Sequence, residues 1–176
     1  LAADYSPSDP ETQAFFQAVQ NKLHFAATGK TASELIAERA NSAQPNMGLT
    51  AWKSGVVRKG DVTVAKNYLH EAEISELNRI VVMFLDFAED QARRRKQIFL
   101  HNWNTRLDDF LRLNERDILP DVGKVRREQA DAIAGQEYDR FAARRRSQIE
   151  DEVEADTLKR LEDEVKKLPQ RKSLKK

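Results

Sequence analysis

The chain has no cysteine, which excludes a disulfide-stapled scaffold, a metal held through thiolates and a cysteine nucleophile. Nor is there a serine set in a nucleophile elbow. No apolar run approaches the length needed to cross a membrane, and Leu1-Ala2-Ala3 lacks the basic and apolar regions of a signal peptide. A reducing, cytoplasmic setting with no membrane partner is the expectation. Charge of one sign is also lacking: the formal net charge is +1, which argues against a surface that binds polyanions over the whole molecule and leaves only local basic clusters. The three histidines, His24, His70 and His101, are far apart and form no HxxxH pair, so neither a metal nor another cofactor is expected. The first residue is not methionine, and the chain reads as a piece of something longer.

What is present points to helices. At 176 residues, with 40% apolar and 34% charged side chains, the chain fits one domain able to bury a core plus a solvated extension. The central stretch is Glu71 to Arg95. Ile74, Leu77, Val81, Phe84, Leu85 and Ala88 recur there at spacings of three and four, and Ile80, Val82 and Phe87 widen the stripe over most of the circumference. Glu71, Glu73 and Glu76 at its start and Arg93, Arg94, Arg95 and Lys96 at its end complement the helix dipole. So apolar a helix should be surrounded. The expected fold is therefore all-α: a compact helical domain (1–122) around one buried central helix, then a long charged C-terminal helix (123–176) with a basic, frayed tail.

In chain order, Asp9 and Pro10 supply a cap and a first-turn proline for a helix that ends near Gly29, with Phe15, Phe16, Val19, Leu23 and Ala26 or Ala27 on its inner face. Thr31 and Glu34 form a capping box for a short second helix that buries Leu35 and Ile36 and ends near Ala40. Residues 41–60, with Pro45, Gly48, Gly55 and Gly60, read as a loop kept ordered by Met47 and Trp52. Asp61 is expected to cap a third short helix from Val62 to Tyr68. A helix from about Asn102 carries Trp103, Leu107, Phe110 and Leu111 and stops before Pro120. From Lys124 the pattern is helical to Leu168. Ala130, Ile133, Ala134, Tyr138 and Phe141 can dock on the core; Ile149, Val153, Leu158, Leu161, Val165 and Leu168 are too sparse. Asp156 with Arg160, Glu162 with Lys166 and Asp163 with Lys167 are acid-first pairs four apart, worth roughly 0.2–0.5 kcal/mol each on a solvated helix. Leu158, Leu161, Val165 and Leu168 give a short seam through which the arm could form a homo-oligomer, helped by Tyr138 and Phe141.

Thr28-Gly29-Lys30-Thr31 ends like a phosphate-binding loop, but His24 stands where its first glycine belongs and the residues before it are helical. A helix stop followed by an N-cap explains the same four residues. Arg93, Arg94, Arg95 and Lys96 are candidate phosphate contacts, with helix-end compensation as the plainer account. Ion pairing accounts for Arg144-Arg145-Arg146, and a frayed terminus for Arg171, Lys172, Lys175 and Lys176. More unusual are the polar side chains on otherwise apolar helices: Gln20, Asn21, Lys22, His24, Lys66, Asn67, Asn78 and Arg79. They are expected to converge beneath or beside the 45–53 loop, either as a structural hydrogen-bond network or as a pocket.

QNKLHFAATGKTASELI, PNMGLTAWK, DVTVAKNYL, EISELNRIVVMFLDFAEDQA, and Glu137-Tyr138 with Phe141 occur in that order. Together, from Asp4 to about Phe141, they resemble the C-terminal portion of the virulence-associated RhuM family. The resemblance implies a bacterial protein tied to pathogenicity islands, mobile elements or restriction-modification clusters. It also implies an N-terminal DNA-binding half before Leu1, so that nucleic acid is a partner of the full-length protein. No catalytic residues come with it. Two functions follow: a binding and assembly domain, or a toxin-like enzyme acting on a nucleotide or nucleic acid through the polar cluster. A pocket joining Lys22, His24, Lys66 and Arg79 favours the enzyme; a filled, paired network favours assembly.

Overall fold

A computed structural model describes residues 4–94 and 98–167. It is all-α, with no β-strand among the described residues. Helix α1 (Pro10–Thr28) begins where Asp9 Oδ1 accepts the Glu11 N–H at 2.9 Å and stops at Gly29, whose N–H returns to the Phe25 carbonyl at 2.7 Å. Helix α2 (Ala32–Arg39) carries the expected capping box: Thr31 Oγ1 accepts the Glu34 N–H, and Glu34 Oε2 accepts the Thr31 N–H at 2.8 Å. Helices α3 (Glu71–Arg93), α4 (Leu100–Leu113) and α5 (Arg127–Lys167) follow.

The segment before α3 departs from expectation. No helix starts at Val62; a turn leads into a short 3-10 piece at Ala65–Tyr68. Asp61 does not cap it, because its Oδ2 accepts the N–H of Arg58 upstream. Val62, Thr63 and Val64 are all β-branched, which weakens helix formation where the cap signal called for it. Tyr68 instead closes the turn on itself, its buried hydroxyl donating to the Val62 carbonyl at 2.9 Å. The 41–60 loop is ordered as expected, with Met47 fully buried.

Two buried regions result. Ile80 of α3 packs with Leu107, Phe110 and Leu111 of α4, and Val19, Leu23, Ala26 and Ala27 of α1 close over them. Phe84 extends this core, with its ring centroid 5.4 Å from Phe110 and 6.1 Å, edge to face, from Trp103. Around α2, Leu35, Ile36, Met47, Val62, Tyr68 and Leu69 are fully or almost fully buried. Helix α1 holds the centre, packing on both α3 and α4, and α3, expected to be surrounded, is not enclosed: Val82, Met83 and Leu85 are exposed, Val82 and Leu85 at 56% each. Its buried stripe, Ile80, Ala88 and Gln91, takes one face only. Phe16, expected on the inner face of α1, is also exposed.

The described residues form two compact units, one through Tyr138 and one from Asp139. In the first, α5 buries Ala130 and Ala134. Before α5, the Lys124 N–H donates to Glu34 Oε1 at 2.8 Å, and the Ser42 N–H donates to Glu137 Oε2 at 2.7 Å. In the second unit Ile149, Val153, Leu158 and Leu161 are exposed. Asp156 pairs with Arg160 at 2.8 Å as expected, whereas Lys166 takes Asp163 three residues back, not Glu162. The Val165 and Lys167 side chains, Leu168 and the basic tail lie outside the described residues, and with them half of the expected seam.

Candidate functional site

The eight polar side chains fall in separate places. Lys22 reaches from α1 to α4, its Nζ 2.8 Å from Asn104 Oδ1 and 2.7 and 2.8 Å from the two Asp108 oxygens. The Lys22 side chain is only 14% exposed, so the pair is a neutralised cross-link between helices. His24 follows two positions later, about 200° round the helix, and belongs to a different surface. Burial, then the positive charge of Lys66, lowers its pKa, which keeps the imidazole neutral at pH 7. His24 Nδ1 is buried without a hydrogen-bond partner. Of the eight, His24 and Lys66 are thus brought together electrostatically.

Asn67 does meet the 45–53 loop. Its Nδ2 donates to the Asp61 carbonyl at 2.8 Å, and its own carbonyl accepts the Thr50 N–H at 2.7 Å and the Thr50 hydroxyl at 3.0 Å. The first contact lies within the turn, and the two to Thr50, made by the Asn67 backbone carbonyl, tie loop to turn. Gln20, Asn78, Arg79 and Lys66 are exposed, the middle two on the open face of α3. Asn21 and Lys22 line a cleft of about 410 Å³ between α1, α4 and the segment before α5, which Asp121 and Val122 also border.

Among the candidate phosphate contacts, Arg93 Nη2 lies 2.6 Å from Glu89 Oε1 and Arg94 Nε 3.0 Å from Asp90 Oδ2, both exposed pairs. Arg95 and Lys96 lie outside the described residues. Among the described residues no three His, Asp or Glu side chains are placed to hold a metal ion, and no helix is long and apolar enough to cross a membrane.

The strongest electrostatic centre was not anticipated from the sequence. Arg39, at the end of α2, forks onto Glu73 with Nη1 2.7 Å and Nη2 2.6 Å from its two oxygens, and Nη1 also donates to the Tyr68 carbonyl at 2.8 Å. Glu73 accepts the His70 N–H as well, at 2.8 Å. The Arg39 hydrogen bonds, opposed by desolvation, hold the Glu73 carboxyl at about 2. Glu73 sits three residues past His70 at the start of an apolar helix, so its capping role was readable; its partner, 34 residues away, was not.

This all-α arrangement packs α1 against α3 and α4, with Lys22 and Arg39 held in ion pairs between helices. The model of the virulence protein RhuM family matches residues 1–149, and the chain belongs to that family. No curated protein and no solved structure matches it.

Proposed function

We propose that the chain is a binding and assembly module of a virulence-associated, cytoplasmic RhuM-family protein, one that positions or oligomerises a DNA-binding portion elsewhere in that protein. The observation that carries this is the open face of α3. Val82, Met83 and Leu85 remain exposed on α3, whose opposite face packs against α1 and meets α4 through Ile80 and Phe84, and an exposed apolar patch on a core helix marks contact with another macromolecule. The paired state of Lys22, Arg93 and Arg94 supports the same reading, because those cations are already neutralised by Asp108, Glu89 and Asp90.

Fluorescence anisotropy with labelled duplex DNA, alongside sedimentation, tests it. The chain by itself is expected to bind duplex weakly, with no sequence preference, while a longer family protein containing it binds with defined stoichiometry. Loss of that stoichiometry on deleting this region, with DNA contact retained, is the expected result. Unchanged stoichiometry overturns the proposal. The enzymatic alternative has one supporting observation, neutral His24 with its unpartnered Nδ1 beside Lys66. Nucleotide or nucleic-acid turnover by the chain that disappears in His24→Gln, with the thermal midpoint retained, would establish it instead.

A further inference from the structure

Beyond Asp139 the charges of α5 are sorted into blocks. Arg144, Arg145 and Arg146 come first, then the uncharged Ser147-Gln148-Ile149, then Glu150, Asp151 and Glu152. Ion pairing was expected to neutralise the arginines, and it does not: none of these six side chains forms an ion pair among the described residues. For Arg144, Arg145, Asp151 and Glu152 the cause is spacing; Arg146 and Glu150 stand four apart, in the less favourable base-first order, and do not pair. On a helix a charge finds its partner three or four residues away. From Arg144 and Arg145 those positions forward hold Ser147, Gln148 and Ile149, and backward they hold Arg140, Phe141 and Ala142. Looking back from Asp151 and Glu152, the same positions are Ser147, Gln148 and Ile149 again. Farther along, where opposite charges interleave, Asp156 with Arg160 and Asp163 with Lys166 pair within the helix. All but one of the six block side chains are exposed; Arg145, half-buried, lies over the Phe141 ring at 5.6 Å.

We propose that a second copy of this chain pairs along this stretch in the antiparallel sense, crossing at Gln148. This rests on the assembly reading above and gives it a partner and a register. About a two-fold axis at Gln148, Arg144 lies opposite Glu152 and Arg145 opposite Asp151, each twice. Phe141 lies opposite Ala155. Phe141, Arg144, Gln148, Glu152 and Ala155 follow one another at spacings of three, four, four and three, so they share one face of the helix. The pattern is self-complementary, which is what an isologous two-fold contact requires. The block centres are six residues apart, about 9 Å along the axis, comparable with the screening length of about 8 Å at physiological salt. A parallel, in-register pair sets arginine block on arginine block and acidic block on acidic block, so the same charges that favour one orientation oppose the other. The contact is short, charged and solvated, and its affinity falls as salt rises.

The test uses the whole chain in sedimentation equilibrium at low and high salt. Arg144→Glu with Arg145→Glu gives an acidic arm, and Asp151→Arg with Glu152→Arg gives a basic one. Each variant alone is expected to self-associate about tenfold more weakly or worse. Their equimolar mixture and the variant carrying all four substitutions are expected to recover the wild-type affinity. Orientation is read by cross-linking, for which the lack of native cysteine is convenient: an Arg144→Cys chain should form a disulfide with a Glu152→Cys chain, and not with itself. Circular dichroism checks that the variants keep their helix content. Association that ignores these substitutions, or Arg144→Cys chains that link to one another, overturns the register and leaves the assembly reading standing. A monomer at every salt and concentration overturns the pairing, and the assembly reading is then decided by the DNA stoichiometry.

Discussion

Single residues fix the region around α2 more tightly than its size suggests. Gly48 has φ +78°, and a Cβ there would lie 2.6 Å from the Arg39 carbonyl oxygen. Asn46 and Met47 before it already have positive φ, so the turn has no slack to absorb a side chain. Gly48→Ala is therefore expected to cost roughly 1–3 kcal/mol, read as a lower urea midpoint; an unchanged midpoint contradicts the geometry. Arg39 and Glu73 make a second such point, each side chain only 19% exposed. Arg39→Ala leaves Glu73 with the His70 N–H alone and should cost roughly 1.5–3 kcal/mol. The pH dependence has a definite sign. Glu73 is held at about 2 in the folded chain against an ordinary 4.5, so the unfolded chain binds the proton more readily. Its contribution is complete above pH 4.5 and is lost as pH falls toward 2. Urea midpoints between those values should drop more steeply for the wild type than for Arg39→Ala; parallel curves would show that the pair is not what holds the carboxyl down.

The α3 helix shows what periodicity tells and where it stops. Its boundaries, its acidic start and its inward Ile80, Phe84, Phe87 and Ala88 were legible, because spacings of three and four report a helix directly. The same stripe was too wide to say which part of it this chain covers. Val82 and Leu85 read as buried because burial was inferred from composition, whereas α1 and α4 take only the opposite face. The caps at Asp9, Thr31 and Glu34 were legible because their partners are local; Lys22 with Asp108 and Arg39 with Glu73 were not, since nothing in a polar residue names a partner on another helix. The two faces of α3 and its neighbours should differ sharply in mutation. Leu107→Ala, fully buried, is expected to cost 2–5 kcal/mol. Val82→Ser with Leu85→Ser should stay within about 0.5 kcal/mol per site, as measured by thermal or urea unfolding. A large loss from the second pair would mean that this face is buried by the chain itself, against the exposure of Val82 and Leu85.

At the scale of the whole molecule, the two units differ in what holds them. Through Tyr138, helices bury Ile80, Leu107, Leu111, Ala130 and Ala134 almost completely, so their amides open only with much of the core. From Asp139 on, Ile149, Val153, Leu158 and Leu161 are exposed, and the contacts within the helix include the exposed ion pairs of Asp156 with Arg160 and Asp163 with Lys166 and the Phe141 to Arg145 contact. Exposed pairs of this kind add only tenths of a kcal/mol, and a helix held by propensity alone is marginal in water. Hydrogen exchange followed by mass spectrometry should therefore show α4 strongly protected and the amides beyond Tyr138 weakly protected in dilute solution. Raising the chain concentration at low salt should then protect residues 141–155 and leave α4 unchanged, because the antiparallel contact orders only the stretch that crosses at Gln148. Added salt should reverse that gain, since the facing arginine and acidic blocks are solvated and screened. Protection that rises uniformly over both units would point to association through another surface, with the open face of α3 the first to examine by the Val82→Ser and Leu85→Ser pair.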